Sequence, residues 1–198
     1  MWQGNLALLP PDCRLLLTDL SENMVATAKE TLGAQPNLAF DTADIQNLPY
    51  ETGRFAMVMA HMMLYHVPDL HRGLAEVRRV LSSDGCFCCA TYGEDGIVPF
   101  LSHLLLTGNA AAVKNQKFTL QNGEEILRKH FSQVARLDYP DAFAVTNLED
   151  VLRYMDTLKG MSPLYDADHR QALAKLTQAA KGGVLTIPKE YGLFICRP

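Results

Sequence analysis

Between Arg14 and Gly33 the chain runs RLLLTDLSENMVATAKETLG, and this stretch constrains the fold more than any other. Leu15–Leu17 form a continuous apolar run, as expected of a strand covered on both faces. The run ends in an acid, Asp19. Ser21 follows almost at once and suits a helix N-cap. Met24, Ala28 and Leu32 then share one helix face until Gly33 stops it. A strand passing straight into a helix is the unit of an open α/β sheet. In such sheets ligands sit outside the carboxyl ends of the strands, where Asp19 stands. Asp19 is therefore the first candidate ligand contact.

The unit recurs downstream. Leu38–Ile45, with Asp41 and Asp44, reads as a second strand ending in an acid, and residues 47–54 as a polar turn. Phe55–His61 reads as a third strand. Pro68–Asp69 opens a helix in which Leu70, Leu74, Val77 and Leu81 line one face, with Arg72, Glu76 and Arg79 on the solvated side. Asp84–Gly85 turns the chain into a fourth strand, Cys86–Tyr92. This alternation predicts a parallel sheet with right-handed crossovers.

The pattern pauses over residues 93–121, whose apolar residues show no clean periodicity. A segment that long inside one domain is expected to be functional cover, and over 94–121 it reads as a substrate cover. Later come a capping box at Asn122–Glu125 before a short helix, a strand at Val134–Leu137, and a second box at Thr146–Glu149. The second box opens a helix with Leu148, Val151, Leu152 and Met155 inward. A helix over about 168–181 and a last strand, Thr186–Cys196, broken at Pro188, end the chain. Residues 1–13 place Trp2, Leu6 and Leu9 at helical spacing before Pro10–Pro11. With no repeats or linkers, residues 1–198 are expected to be one domain.

Charge and cysteine usage exclude several classes. A net charge of −4 offers no basic field to a nucleic-acid backbone. No run approaches the roughly 18 apolar residues of a membrane span. The N-terminus lacks a charged n-region and a sufficient apolar run for a signal peptide. Five cysteines, an odd number with three crowded on one strand, fit reduced thiols and a cytoplasmic location. His61, His66 and His71 are five apart and give no metal-ligand spacing, so no metal is expected. Cys86, Cys88 and Cys89 read as core strand residues.

With strands and acids placed, the pattern resembles the class I S-adenosylmethionine (SAM)-dependent methyltransferases, in their small-molecule branch. LLLTDLSENMVATAK looks like the family's second strand and following helix. FDTADIQNLPY resembles the third strand and its acidic end. FAMVMAHMMLYHVPD and LAEVRRVLSSDGCF look like the fourth strand, its helix and the turn into the fifth. The resemblance covers about residues 14–93 and, loosely, the last strand. It implies a Rossmann-like α/β sheet, mostly parallel, with a reversed last strand.

It also implies roles. Asp19, with Leu20 beside it, would accept from the ribose hydroxyls of SAM. Met24 would pack on the adenine face. Asp44 would accept from the adenine amino group, with the Ile45 amide nearby. Ala60 and His61 would border the methionine half, and Tyr65 and His66 would face the same pocket. Methyl transfer is an in-line displacement on an activated carbon and needs no fixed triad. His66, Tyr65 and His61 are the candidate bases, by position alone. The implied partner is a small-molecule methyl acceptor.

Each residue has a structural alternative. Asp19 also favours a strand-to-helix turn, Asp44 a solvated strand end, Met24 a core position, and His66 a turn before Val67–Pro68.

The sequence departs from the family in one respect. The family's first strand and glycine-rich turn have no counterpart, and thirteen residues precede Arg14. The two strands that would flank the first strand are expected to expose unpaired edges and to favour self-association. These 198 residues are accordingly expected to bind SAM weakly or not at all. Two other functions share the frame: a non-catalytic methyltransferase-like binding domain, and a nicotinamide-dependent Rossmann oxidoreductase. Asp44 and the late segment Glu190–Cys196 count against the oxidoreductase.

Overall fold

Strands and helices follow one another from Leu15 to Tyr92, with a turn alone between the second and third strands, in the computed structural model, which describes residues 4–106 and 117–198. Strand β1 (Leu15–Asp19) passes through Ser21 into helix α1 (Glu22–Leu32). Ser21 Oγ accepts from the Met24 N–H at 3.4 Å, and Gly33 closes the helix at φ 68°. Strand β2 (Leu38–Thr42) pairs in parallel with β1. Strand β3 (Phe55–His61), helix α2 (Leu70–Val80) and strand β4 (Leu81–Tyr92) form the next parallel unit.

The final strands reverse direction. Strand β6 (Leu185–Arg197) lies antiparallel between β4 and strand β5 (Gln133–Val145), giving the order β3-β4-β6-β5. The pair β1-β2 forms a separate two-stranded sheet. Among the described residues β1 is laddered only to β2, and β3 only to β4. The open edges expected from the sequence are therefore present.

Two cores hold the larger sheet. One face of β3, β4 and β6 packs on α2 and on helix α4 (Gly123–Leu127) through the buried Leu74, Val77, Phe87, Leu127, Phe131 and Phe194. Phe87 stacks on Phe131 at 5.4 Å between ring centroids. The second core joins helix α3 (Ile97–Leu105), helix α5 (Glu149–Asp156) and helix α6 (His169–Ala179) through Leu101, Met155 and Leu176. Leu185 and Ile187 of β6 complete it.

Several boundaries differ from the sequence reading. Residues 93–121 contain α3, whose Leu101 and Leu105 are core; residues 107–116 lie outside the described ones. The strand with Asp41 stops at Thr42, so Asp44 lies in the following turn. Asp84–Gly85 falls inside β4, beside an irregularity between Phe55 and Met57, because Leu81 already pairs with Phe55. Pro188 does not break β6: it pairs with Ala142, and the β4 ladder has ended at Tyr191, so Pro188 has a neighbour on one side only. The expected strand Val134–Leu137 extends to Val145 because β6 pairs along all of it.

Neither capping box forms. Glu149 N–H donates to Asn147 Oδ1 at 3.3 Å, and Asn122 Oδ1 accepts from Thr119 N–H at 2.8 Å. Leu6–Leu8 make a single 3-10 turn, and Trp2 lies outside the described residues. Leu15–Leu17 are only half-buried, since one edge of β1 has no neighbour.

The small sheet is joined to the large one by a polar clamp. Glu76 accepts from Leu48 N–H at 2.8 Å and from Arg79. Arg79 donates in turn to the carbonyls of Tyr50 and Leu48, at 2.7 and 2.9 Å. The hydrogen bonds from Arg79 hold the Glu76 carboxyl below the usual carboxylate range. A carboxyl lowered in the folded state contributes stability above its unfolded pKa, and that stability is lost as pH falls through the folded one. Glu76→Ala, which also orphans the Leu48 N–H, is expected to cost about 1–3 kcal/mol in urea unfolding at neutral pH. The difference from the parent should shrink on acidification; equal midpoints at neutral pH would exclude the clamp.

Candidate functional site

At the carboxyl end of β1, Asp19 is exposed and its Oδ1 accepts from Ser21 N–H at 2.9 Å. This bond fixes the carboxylate over the N-terminus of α1. The Asp19 carbonyl accepts from Ala43 N–H at 3.1 Å, which ties the turn carrying Asp44 to the end of β1. Asp44 Oδ1 accepts from the Gln46 N–H at 2.8 Å and from the Gln46 amide at 3.2 Å. Gln46 Oε1 accepts from Asp69 N–H at 2.9 Å, and Asp69 caps α2. The backbone next to Asp44 is thus tied to the end of β1, and the Asp44 side chain is oriented by Gln46.

A cleft of about 320 Å³ opens beside Asp19. Its walls include Leu17, Met24, Val25, Ala28 and Phe40. Met24 is 58% exposed and lines this cleft, so its structural alternative as a core residue does not hold. Leu20 is also exposed. Asp44 and Ile45 lie outside the cleft. Ile45 packs on the large-sheet core, where a Cβ added to Gly73 would meet its Cγ2 at 3.5 Å. A second hollow of about 300 Å³ lies between α3 and α6 and holds none of the sequence candidates.

Ala60 and His61 end β3, paired with Cys89 and Ala90. Ala60 is buried; His61 touches solvent, and burial of the rest of its ring holds its imidazole below the ordinary histidine range. It is neutral near pH 7, as a proton acceptor must be. Met62 follows at φ 51°, an uncommon conformation for a side-chain-bearing residue, and its N–H donates to Ala90 O at 3.0 Å. The kink carries the chain into the 3-10 turn Leu64–His66.

Tyr65 in that turn lies 4.5 Å from His66 and 4.7 Å from Tyr92, between ring centroids. Burial, then Tyr92 and Tyr191, push the Tyr65 hydroxyl up. The sequence reading did not select Tyr92 or Tyr191. The signal for Tyr92 was its place at the carboxyl end of the fourth strand. Tyr191 is a distant residue brought beside it by antiparallel pairing. Among the described residues no group of three or more histidine, cysteine or acidic side chains could hold a metal, and no helix is long and apolar enough to cross a membrane.

Comparison with known proteins gives four relevant likenesses. Residues 4–89 match a family described as "Methyltransferase domain". A malonyl-[acyl-carrier protein] O-methyltransferase 1 from Ilyobacter polytropus is 28% identical over 152 residues, 76% of this chain and 55% of that protein. The Legionella pneumophila malonyl-[acyl-carrier protein] O-methyltransferase is 32% identical over 90 residues, 46% of this chain and 32% of that one. The chain therefore spans between a third and just over half of these relatives. Among solved structures, the YcgJ protein of Bacillus subtilis superposes with a TM-score of 0.59 at 16% identity, over 93% of this chain and 83% of that one. The shared fold is the Rossmann-like α/β fold.

Tyr50 donates its hydroxyl to Asp41 Oδ2 at 3.0 Å, tying the segment after β2 back to that strand. Burial first, then this bond and the Asp41 charge, push the Tyr50 hydroxyl up to about 12, against a smaller opposing effect of Arg54. Ultraviolet difference titration against Tyr50→Phe should show Tyr50 protonated past the ordinary tyrosine range, and Asp41→Asn should lower its titration. Ionisation at the ordinary value in the parent protein would rule the bond out.

Proposed function

We propose, from the match of residues 4–89 to the methyltransferase-domain family and from the site's geometry, that the chain serves SAM-dependent methyl transfer to a small-molecule acceptor. The observation that carries this reading is the pair Asp19 and Asp44, linked by the Ala43 N–H to Asp19 carbonyl bond at the sheet's ligand edge. The donor set suits a nucleoside. One carboxylate oxygen of Asp19 is spent on Ser21, leaving the other with no partner among the described residues, and the wall beside it is apolar through Leu17, Met24 and Phe40.

SAM supplies an activated methyl group when bound. The chain's residues hold and exclude. Asp19 binds the ribose hydroxyls, with Leu20 beside it; Met24 covers the adenine face; Asp44 and the Ile45 amide take its edge. Ala60 and His61 border the methionine half. His61 is the preferred proton acceptor where the acceptor atom carries a proton, because its imidazole is already neutral; Tyr65 and His66 line the same opening. Of the expected cover 94–121, the described residues 94–106 and 117–121 leave and return to the ligand edge of β4, where Leu120 N–H donates to the Tyr92 carbonyl, and they serve as substrate cover.

The relatives' names support a small acceptor. The five free cysteines support a reducing, cytoplasmic setting. A second reading, an interaction module that self-associates, is favoured by the single-neighbour edges of β1 and β3. It predicts a sedimentation coefficient that rises with protein concentration; one that stays constant would exclude it.

The methyl-transfer reading predicts weak SAM binding, seen as amide NMR shifts at Asp19, Met24, Asp44 and Ile45. These shifts should vanish in Asp19→Ala with the circular dichroism spectrum unchanged. Shifts confined to other residues, or none, would overturn the assignment.

A further inference from the structure

Three tyrosines form one row across the large sheet. Tyr92 of β4 pairs with Tyr191 of β6, and Tyr191 pairs with Tyr139 of β5. Directly paired residues present their side chains on one face of a sheet. Tyr65 comes over from the turn after β3 and lies 4.7 Å from Tyr92, its plane tilted by 52°. Tyr154 approaches from α5: burial and then the neighbouring Tyr191 raise its hydroxyl. For Tyr65 and Tyr154 the groups felt most strongly are other tyrosines, with no lysine, arginine or carboxylate among them. The row stands at the carboxyl end of β4, where the acceptor must meet the donor. His61, paired with Ala90, lies on the same face one step below Tyr92.

The rim around this row has one sign of charge. The four segments that leave the carboxyl ends of β1 to β4 are residues 19–23, 43–47, 61–69 and 93–96. Together they hold Asp19, Glu22, Asp44, Asp69, Glu94 and Asp95, and neither lysine nor arginine. The cations nearest in sequence to Tyr139 and Tyr191 are each paired with a carboxylate: Arg136 with Asp138 at 2.6 Å, and Lys189, next along the face of the row, with Asp141. Within these four segments a carboxylate or phosphate acceptor would meet a field of its own sign. A cation would gain from the carboxylates at the rim and from the negative faces of the rings beneath.

We propose that the acceptor is a small aliphatic amine, held as its ammonium against Tyr65, Tyr92 and Tyr191 and ringed by the carboxylates of the β1 to β4 loops. This rests on the methyl-transfer reading and names its substrate class. An ammonium has no lone pair, so the acceptor nitrogen first gives one proton to the His61 imidazole, which passes it to solvent. The nitrogen lone pair then forms the new C–N bond as the donor's C–S bond breaks, with that bond's electrons going to sulfur. The positive charge moves from sulfur to the methylated nitrogen, so the product is again an ammonium that the rings accommodate.

The test uses three probes of one shape and different charge: choline, 3,3-dimethylbutan-1-ol and 3,3-dimethylbutanoate. Each is titrated into the 198-residue protein by ligand-observed NMR. Choline is expected to bind at least about five-fold more tightly than the other two. Tyr92→Leu and, from a different element, Tyr65→Leu should each weaken choline at least about three-fold, while Tyr92→Phe keeps the ring and the affinity. Equal binding of the three, preference for the carboxylate, no choline binding, or a choline preference untouched by both leucine variants would overturn the proposal. A SAM titration of the same sample keeps the two readings apart. Choline preference without SAM binding sinks methyl transfer and leaves an ammonium site; SAM binding without choline preference does the reverse.

Discussion

The structure depends on a polar joint rather than on a continuous sheet. Among the described residues the ladder stops at the outer edges of β1 and β3, so backbone pairing does not connect the two halves. Residues 46–50 make the connection, gripped by α2. Arg72 donates to the Gln46 carbonyl at 2.8 Å, Asp69 N–H to Gln46 Oε1, and Leu48 N–H to Glu76. Arg79 satisfies two further carbonyls of the same segment. These groups would otherwise be unpaired at a partly buried surface, where each orphan costs about 1–3 kcal/mol. Ile45, packed over Gly73, adds the apolar contact beneath the joint.

The joint also sets the functional edge. Asp44 is oriented by Gln46, and Gln46 is itself held by the cap of α2, so the position of the acid is inherited from a helix on the large sheet. Asp19 follows through the Ala43 bond. On the far side, the positive φ of Met62 turns the chain so that Tyr65 can lie on Tyr92. Strain of that kind persists only where surrounding contacts fix it, and here the Met62 N–H to Ala90 carbonyl bond does so. An acidic edge and an aromatic floor therefore reach the same end of the sheet by separate routes.

Much of this was legible in local pattern. The apolar run at Leu15–Leu17, the Ser21 cap and the stop at Gly33 are short-range effects, and each element formed where its residues favoured it. The α2 face of Leu74 and Val77 was plain from helical spacing. The misreadings share a cause. The extra length of β5, the passage of β6 through Pro188, and the pairing of Leu81 with Phe55 all come from partners distant in sequence. The apolar residues of α3 looked aperiodic because that helix is covered from more than one side, by α5, α6 and β6. The Thr146 capping box gave way to Asn147, which reached the Glu149 N–H instead.

The sequence by itself determined the α/β class and the strand-end acid Asp19, which follow from apolar runs, caps and turn residues that act within about a dozen positions. The reversed last strand came from the family resemblance, and the structure moved Asp44 from the strand into the turn after it. Only the tertiary structure decided that the Glu76–Arg79 clamp spans the gap between β1 and β3, and that Tyr92 and Tyr191 stand side by side. Such contacts join residues far apart in the chain, and their energy depends on burial and pairing that no local window contains.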